Sequence, residues 1–535
     1  MKYVFILVFL IVSVSCSKNR DSFIVLRSGE RVVLPYEETL STVISSEPPS
    51  IDWIRSTDTD SSWIEEHLMN GLARFDFRDP QLKLMPALAE KWEPKENGKK
   101  WIFYVRKGVK WSDGVAFKAQ HVVDGWHRLL DPQVAAQASD NLYPILNAKE
   151  FNQGEITDFS KVGVKLLDEY TIEVELVKPM GFFPLLMTHH TSFPVRQDLI
   201  DKFGSLWTEP ENMVSLGPYK IIYWHHDSRI VLKRNENYWG EKPEIKYIIY
   251  YMIGKTSTAL RMFDRGRIDF MKDLPTAEVS RLSKREEFHS LSGLRLYYYG
   301  FKVKKPPFDN VLVRRAIAHA IDKQEIVTVI GGGQFPLKSW VPPGTFGYDD
   351  KVGLEFDVKK SRELLKKAGY PDPSKLPKIV LGFNTEEKHQ RIAENIQAQL
   401  KKNLSIQIEL KNEEWKTYLS GLRTDSVYSM FRLGWVADYS DPHTFLSIMV
   451  GHSPNNRTGW KDKKFDKLIE FGLSELNPEK RLSYYHEAQK ILLEKGVPVI
   501  PILADVNQVL VNKRIKNYYN NPLDLYLFQY MGLKK

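Results

Sequence analysis

The feature that most restricts the fold of this chain is a strand, a helix and a second strand in close succession. The apolar run Ile379-Val380-Leu381 and the alternating run Ile406 to Leu410 are typical of strands. Between them, His389 to Leu404 has the pattern of a helix. Two strands joined by one helix pair in parallel with a right-handed crossover. The sequence therefore predicts an α/β fold.

Two further segments give definite local predictions. Thr171 to Leu176 alternates apolar and polar residues, which predicts a half-buried strand. Ser61 to Arg74 carries apolar residues at helical spacing and carboxylates in its first turn, which predicts a helix. Ser61 or Ser62 is the expected N-cap of this helix.

The chain is too long for one hydrophobic core. Its 535 residues predict two or more lobes, and 42% hydrophobic residues with 13 Trp argue against disorder. The 76 Lys and Arg exceed the 67 Asp and Glu to give a net charge of +9. No basic block is present, so we expect no nucleic-acid partner.

The amino terminus predicts export and a lipid anchor. Tyr3 to Val14 is apolar except for Ser13, too short to cross a membrane and typical of a signal peptide. The single cysteine, Cys16, excludes a disulfide within the chain. The sequence before Cys16 resembles a lipoprotein signal, so we expect a signal peptide at 1–15 and a lipidated tether at 16–39 with a lead-in strand. No later segment is apolar for long enough to span a membrane.

The stretch from Phe431 to Pro442 is the candidate binding segment. It carries the cation Arg432, the aromatic Trp435 and the carboxylate Asp438 before a turn signal. In a continuous strand, Arg432 and Asp438 would share one face about 20 Å apart. They could then hold the two ends of a zwitterion. The alternative is a surface strand with solvated charges.

This stretch resembles the ligand-contacting segment of oligopeptide-binding proteins, the substrate-binding lipoproteins of ABC importers (bacterial solute-binding protein family 5). The pattern Arg-x-Gly-Trp-x-Ala-Asp-Tyr spans residues 432–439. The segment 100–114 and the motif Trp126 to Pro132 resemble scaffold motifs of the same family. The resemblance covers about residues 40–530.

The resemblance implies a periplasmic-binding-protein-like fold with mixed sheets, helices on their faces and a ligand cleft between two lobes. Three domains would build these lobes. The first would combine residues 40–70, 194–295 and 505–535, an extra domain would span 71–193, and the second lobe would span 296–504.

The resemblance also implies roles for individual residues. Asp438 would hold the peptide's α-amino group, Arg432 the carboxylate of a short peptide and His389 that of a longer one. The other expected ligand-binding positions are Thr59, His189, Trp415, Arg423, Gly434, Trp435 and Val436. The chain departs from the family pattern at Thr57, Ala138 and Ile330, which leaves peptide length and class open.

Several alternatives remain. Relatives of this family could bind dipeptides, murein peptides, nickel, haem or sugar, although Asp438 favours a ligand with an amine. An extracytoplasmic hydrolase has little support because Gly-x-Ser-x-Gly, His-Glu-x-x-His and P-loop motifs are absent from the sequence. The pairs His189-His190 and His225-His226 lack metal-ligand spacing. We expect no enzyme activity, cofactor or metal.

The expected partners are peptides and the permease and ATPase subunits of an ABC transporter. We expect a monomer held by lipid on Cys16 in the cell envelope, in the periplasm or on the outer face of the cytoplasmic membrane.

Overall fold

A computed structural model describes residues 21–79, 82–424, 427–439, 441–475 and 477–534. The predicted signal peptide and Cys16 lie outside the described residues. None of the described helices is both long and apolar enough to cross a membrane.

The described strands are short except for two in the centre of the largest sheet. They are β1 Ser22–Val25, β2 Arg31–Leu34, β3 Thr39–Ile44, β4 Ala73–Phe75, β5 Leu84–Pro86, β6 Ala89–Lys95, β7 Lys100–Val105, β8 Val164–Asp168, β9 Thr171–Glu175, β10 Tyr219–His225, β11 Arg229–Arg234, β12 Tyr247–Met252, β13 Phe270–Lys272, β14 Phe288–Phe301, β15 Phe335–Pro336, β16 Ile379–Asn384, β17 Ile408–Glu413, β18 Met430–Val436, β19 Val499–Val511, β20 Ile515–Lys516 and β21 Gly532–Leu533.

The α-helices are distributed along the whole described chain. They are α1 Thr59–Leu68, α2 Ala119–Leu130, α3 Ala148–Asn152, α4 Phe183–Leu186, α5 Gln197–Phe203, α6 Thr256–Asp264, α7 Val279–Leu282, α8 Val311–His319, α9 Lys323–Ile330, α10 Val358–Lys367, α11 Glu387–Leu404, α12 Trp415–Arg423, α13 His443–Leu446, α14 Lys463–Ser474 and α15 Pro478–Lys490.

The largest sheet has the strand order β13-β19-β14-β18-β16-β17, with β15 added beside β19. β16 runs parallel to β17 and to β18. The predicted parallel pair with a helix between its strands is therefore confirmed, although the second strand begins at Ile408 rather than Ile406. β14 and β19 pair antiparallel in the middle of the sheet. β19 also pairs with β13 on one side, and β14 pairs with β18 on the other.

The part of the central strand β14 that spans residues 296–301 is buried on both faces. Leu296 and Tyr298 belong to one core cluster, whereas Tyr297 and Tyr299 belong to another. Successive side chains of a strand point to opposite faces, so one strand can serve two cores. This double burial explains its continuous apolar and aromatic composition.

Two smaller sheets stand apart from the large one. One has the order β10-β11-β12-β3 and contains a single parallel pair, β12 with β3. The other, β6-β7-β9-β8, is antiparallel throughout. Its strand β9 matches the strand predicted at Thr171 to Leu176 within one residue.

The lead-in strand predicted within residues 16–39 is present as β1, and the structure adds a second strand, β2, that the sequence analysis did not predict. β1 and β2 form an antiparallel hairpin. Ile24 and Leu34 are buried against a cluster that includes Val231, Tyr247 and Ile249. Each strand is only four residues long, so the alternation was too brief to predict a packed hairpin.

The helix predicted at Ser61 to Arg74 is also shorter and begins earlier. α1 spans Thr59–Leu68, and the Asp58 side chain, rather than a serine, accepts a hydrogen bond from Ser61 N. The chain turns away before Gly71, where an added Cβ would lie 2.1 Å from the Met187 carbonyl oxygen. Tertiary packing therefore sets the end of this helix.

Candidate functional site

A cavity of about 330 Å³ lies between distant parts of the chain. Its walls come from α1, from the segments around residues 138–141 and 188–193, and from the β18 region. The predicted binding residues that line it are Thr59, His189, His389, Trp415, Arg432, Gly434, Trp435, Val436 and Asp438. Arg423 is not a lining residue, but its Nη2 lies 3.5 Å from Oγ1 of Thr57, which does line the cavity.

The strand β18 forms one wall of the cavity. It pairs with β14 along its whole length but with β16 only at Met430 and Phe431. On its other edge, the Arg432 amide donates to the Tyr418 hydroxyl. Backbone groups of alternate residues in a strand point the same way. The peptide groups of Gly434 and Val436 therefore face away from β14, towards the cavity that both residues line.

The arrangement of Arg432 and Asp438 differs from the continuous strand considered above. β18 ends at Val436, so Asp438 follows the strand instead of sharing a face with Arg432. The Asp438 backbone amide donates to Thr444 Oγ1 at 3.1 Å. Thr444 lies in α13, and this contact turns the chain at the end of the strand.

The Asp438 carboxylate has a polar contact at each oxygen. Thr444 Oγ1 donates to Oδ2 at 2.9 Å, and Nε2 of His189 lies 3.3 Å from Oδ1. His189 also lies close to Thr191 and Asn141 through its Nδ1. The Asp438 side chain remains 21% exposed. It can therefore accept a further hydrogen bond from an ammonium group in the cavity.

The groups in direct contact with the Arg432 guanidinium are neutral, and the Glu386 carboxyl group interacts with it at longer range. Nη1 donates to Asn384 Oδ1 at 3.1 Å, and the guanidinium carbon lies 4.5 Å from the centre of the Tyr297 ring. Within the described part of the chain, Arg432 forms no salt bridge with a carboxylate, and its buried Nε has no hydrogen-bond partner. A guanidinium in this state suits a carboxylate ligand with two oxygens.

His389 lies beside Arg432 but is much more deeply buried, at 2% exposure. Its Nε2 is 2.7 Å from Glu386 Oε2, and its Nδ1 is 3.4 Å from the Tyr297 hydroxyl. Burial, reinforced by the charge of nearby Arg432, lowers the pKa of His389 to about 4. A neutral His389 ring donates from Nε2 to Glu386 and keeps only an acceptor at Nδ1, so it could donate to a peptide carboxylate only if Glu386 moved away.

The sequence analysis missed Asp140, which lines the cavity near Asp438. Its Oδ2 accepts a hydrogen bond of 2.8 Å from Ser453 Oγ, more than three hundred residues away in the chain. Burial, with the charge of Asp438 nearby, raises the pKa of Asp140 to about 6. Its position two residues after Ala138, where a ligand-touching residue was expected, was the only signal in the sequence.

A group of buried charges closes another part of the cavity wall. Lys388 Nζ lies 2.9 Å from Asp505 Oδ2, and Arg295 pairs with Asp524. All four residues line the cavity. Their mutual pairing gives them a structural role, because an unpaired buried charge would be strongly destabilising. Within the described residues, no group of three or more His, Cys, Asp or Glu could hold a metal ion.

A cavity lined by a carboxylate, a guanidinium and an open strand edge has the groups that a binding site for a small zwitterionic solute requires. Residues 83–457 match the model of bacterial extracellular solute-binding proteins, family 5 Middle. The chain therefore belongs to this family. The family consists of binding proteins, so the predicted absence of enzyme activity is confirmed, as are the predicted family and fold class.

Individual relatives agree with this assignment. The chain is 33% identical to the oligopeptide-binding protein OppA of Bacillus subtilis over 87% of each chain. It matches the structure of Haemophilus influenzae OppA in complex with RPPGFSPFR at a TM-score of 0.88 and 29% identity, over 94% of this chain and 99% of that one.

A third relative bears on the arrangement of the lobes. The structure of the Escherichia coli murein tripeptide binding protein MppA matches at a TM-score of 0.88 and 28% identity, over 96% of this chain and 100% of that one. The unliganded open form of MppA matches at only 0.63, with 93% of this chain and 98% of that one covered. The lobes of the present structure are therefore arranged differently from those of that open form.

Proposed function

We propose that this protein captures short peptides outside the cytoplasm and delivers them to the permease of an ABC transporter. The observation that carries this proposal is the presence of two opposite charges, those of Asp438 and Arg432, in the wall of one cavity. Asp438 is available to an ammonium, and Arg432 has no carboxylate partner among the described residues. A free peptide carries these two complementary charges at its two ends.

The open edge of β18 can hold the body of the peptide. An extended peptide adds to a sheet edge through main-chain hydrogen bonds, which do not depend on its sequence. In this proposal the peptide groups of Gly434 and Val436 make these bonds. The charged ends then fix the register, with the amine at Asp438 and the carboxylate of a short peptide at Arg432.

A calorimetric titration tests the proposed function. We expect purified protein to bind tri- and tetraalanine, and to bind N-acetylated or C-amidated forms much more weakly. Native mass spectrometry of protein purified without refolding should show adducts with peptide masses. Tight binding of a sugar or metal ion, with no binding of peptides, would contradict the proposal.

We further propose that Cys16 is acylated and anchors the mature protein. The apolar run before this single cysteine supports the idea, and one or two acyl chains contribute about 0.8 kcal/mol per buried CH₂. Cys16→Ser should move the protein from the membrane to the soluble fraction or leave it unprocessed. Ser17→Ala is the matched control and should leave membrane association unchanged.

The predicted division into domains is consistent with delivery by lobe closure. We propose that residues 40–70, 194–295 and 505–535 form one domain, with 71–193 and 296–504 as the others. The lobes would close around the peptide and present a shape that the permease and its ATPase subunits recognise.

A further inference from the structure

One face of helix α1 contributes to the wall of the cavity. Thr59, Ser62 and Glu66 follow one another at helical spacing, and Asn70 continues their line beyond the helix end. Phe75 and Phe77 line the cavity after Asn70 along the chain. This face therefore combines polar groups with an apolar wall, as a pocket for a long side chain requires.

Glu66 is the charged residue of this face. Within the described residues it has no hydrogen bond and no ion pair, although its neighbour Glu65 accepts a hydrogen bond from Ser56. Burial alone raises the pKa of Glu66 to about 8. A partly buried carboxyl group without a partner is unfavourable, so its position is best explained by a group that it receives from the cavity.

Two buried amide side chains nearby have unused acceptors. Asn70 is 5% exposed and Gln529 is 8% exposed, and both line the cavity. Asn70 Nδ2 donates to the Met69 carbonyl, but neither Asn70 Oδ1 nor Gln529 Oε1 has a hydrogen-bond partner in the described structure. Phe528 N donates to His67 Nε2 of α1, which places Gln529 beside this helix.

Two cations, Lys272 and Arg74, also line the cavity, and the buried Arg74 Nε has no hydrogen-bond partner in the described structure. Lys272 Nζ lies 3.6 Å from Asp60 Oδ1, and the Arg74 guanidinium lies 5.8 Å from the Trp239 ring. The titratable and charged groups on α1 and on the elements around it include Asp58, Asp60, Glu65, His67, Arg74, His190, Tyr219, Tyr250, Lys272 and Tyr530. None of them lowers the pKa of Glu66, because burial is its sole cause of shift.

We propose that Glu66, Asn70 and Gln529 form a subsite for a basic side chain, lysine or arginine, of the bound peptide. The inference rests on the proposed function, since it assumes a peptide in the cleft. A carboxylate and two amide oxygens without donors are complementary to an ammonium or guanidinium, which carries several N–H donors. The apolar wall of Phe75 and Phe77 suits the aliphatic stem of such a side chain.

The pH dependence gives this subsite a specific signature. A cation at Glu66 favours the ionised carboxylate, so binding of a basic peptide at pH 7 should release a proton. The preference for a basic peptide should rise from pH 6 through pH 8, as the free carboxyl group loses its proton, and become constant only about one pH unit above the pKa of Glu66. Asp140, which also titrates in the cavity, affects basic and neutral peptides alike.

The test is calorimetry of tetraalanine and of four variants with lysine at each position in turn. In wild type, at least one lysine peptide should bind about tenfold tighter than tetraalanine at pH 8, with proton release measured in buffers of different ionisation enthalpy. Glu66→Gln, which keeps the side-chain shape, should abolish this advantage and the proton release while leaving tetraalanine affinity unchanged. Glu90→Gln, an exposed carboxyl group outside the cavity, is the matched control.

The outcomes separate the two proposals. If wild type binds no tetraalanine and no lysine peptide, the proposed function fails. If peptides bind but lysine gives no advantage at any position, or if Glu66→Gln weakens tetraalanine and lysine peptides equally, the subsite is refuted and peptide binding stands. Retained tetraalanine binding by Glu66→Gln also shows that the variant is folded.

Discussion

The two ends of the cleft are assembled from different kinds of neighbours. Arg432 contacts Asn384 at the end of β16 and Tyr297 on β14, and both strands pair with β18. Asp438 contacts His189, and nearby Asp140 contacts Ser453, across segments that share no sheet. Sheet register thus fixes the Arg432 end, whereas the Asp438 end depends on how two separate parts of the molecule approach each other.

This difference suggests a sequence of events during binding. If the lobes separate, the Arg432 end keeps its geometry, but the contacts of Asp438 with His189 and of Asp140 with Ser453 are lost. We infer that the carboxylate end of a peptide can be received first, and that the amine end is completed on closure. With this order of events, closure of the lobes would depend on the presence of a free amine on the peptide.

The largest expected effect is at Asp438. Removing one partner of a buried ion pair costs about 3–5 kcal/mol, so Asp438→Ala should weaken free-amine peptides at least about a hundredfold. N-acetylated peptides should lose little further affinity, because they already lack the ammonium. A calorimetric double cycle over the mutation and acetylation measures this coupling.

The matched control for this cycle is Asp309→Ala, which removes an exposed carboxylate outside the cavity. It should behave as wild type. Losses that simply add in the Asp438 cycle would show that this residue does not contact the amine.

A smaller effect is expected at the other end. Arg432→Met keeps the packing on Tyr297 but removes the charge, and a hydrogen bond to a charged group contributes about 1.5–3 kcal/mol. The affinity for di- and tripeptides should therefore fall by about tenfold or more, with a smaller loss for pentapeptides.

His389→Asn should show the reverse order, with a larger loss of affinity for pentapeptides than for di- and tripeptides. Calorimetry across peptide lengths measures both, and equal losses at every length would contradict this division of roles.

The smallest effect concerns the contact between the two parts of the Asp438 end. At pH 5, where the Asp140 carboxyl group is largely protonated, Ser453→Ala removes a hydrogen bond between neutral groups, which contributes about 0.5–1.5 kcal/mol. Peptide affinity, measured by calorimetry, should fall about two- to tenfold. Ser280→Ala, which changes an exposed serine elsewhere, is the control for affinity.

The variant should still close around the peptide, so X-ray scattering should show a smaller radius of gyration when peptide is bound. An unchanged radius in wild type during confirmed binding would contradict closure.

The fold was predictable where local patterns were long. The parallel pair β16–β17 with helix α11, and the strand β9, follow from periodicity alone. The hairpin at residues 22–34 and the start of α1 could not be predicted from periodicity. The strands of the hairpin were too short for alternation to be recognised. The N-cap Asp58 competed with two equally plausible serines three and four residues later in the chain.

The site was predictable only in part. The segment 432–438 indicated a cation and a carboxylate in one stretch, and both residues line the cavity. Asp140, Glu66 and Gln529 carried no comparable pattern. Each is an ordinary polar residue in its own segment, and its neighbours in space are far away in the chain.

The sequence by itself determined the α/β class, the candidate binding segment and the exported character predicted from the amino terminus. Each of these depends on residues close together in the chain, whose spacing follows from backbone geometry. Only the tertiary structure decided that His189 meets Asp438, that Arg432 lacks a carboxylate partner among the described residues, and that Glu66 faces the cavity. Those contacts depend on how whole elements pack against one another, because close packing, and not local periodicity, selects which distant side chains become neighbours.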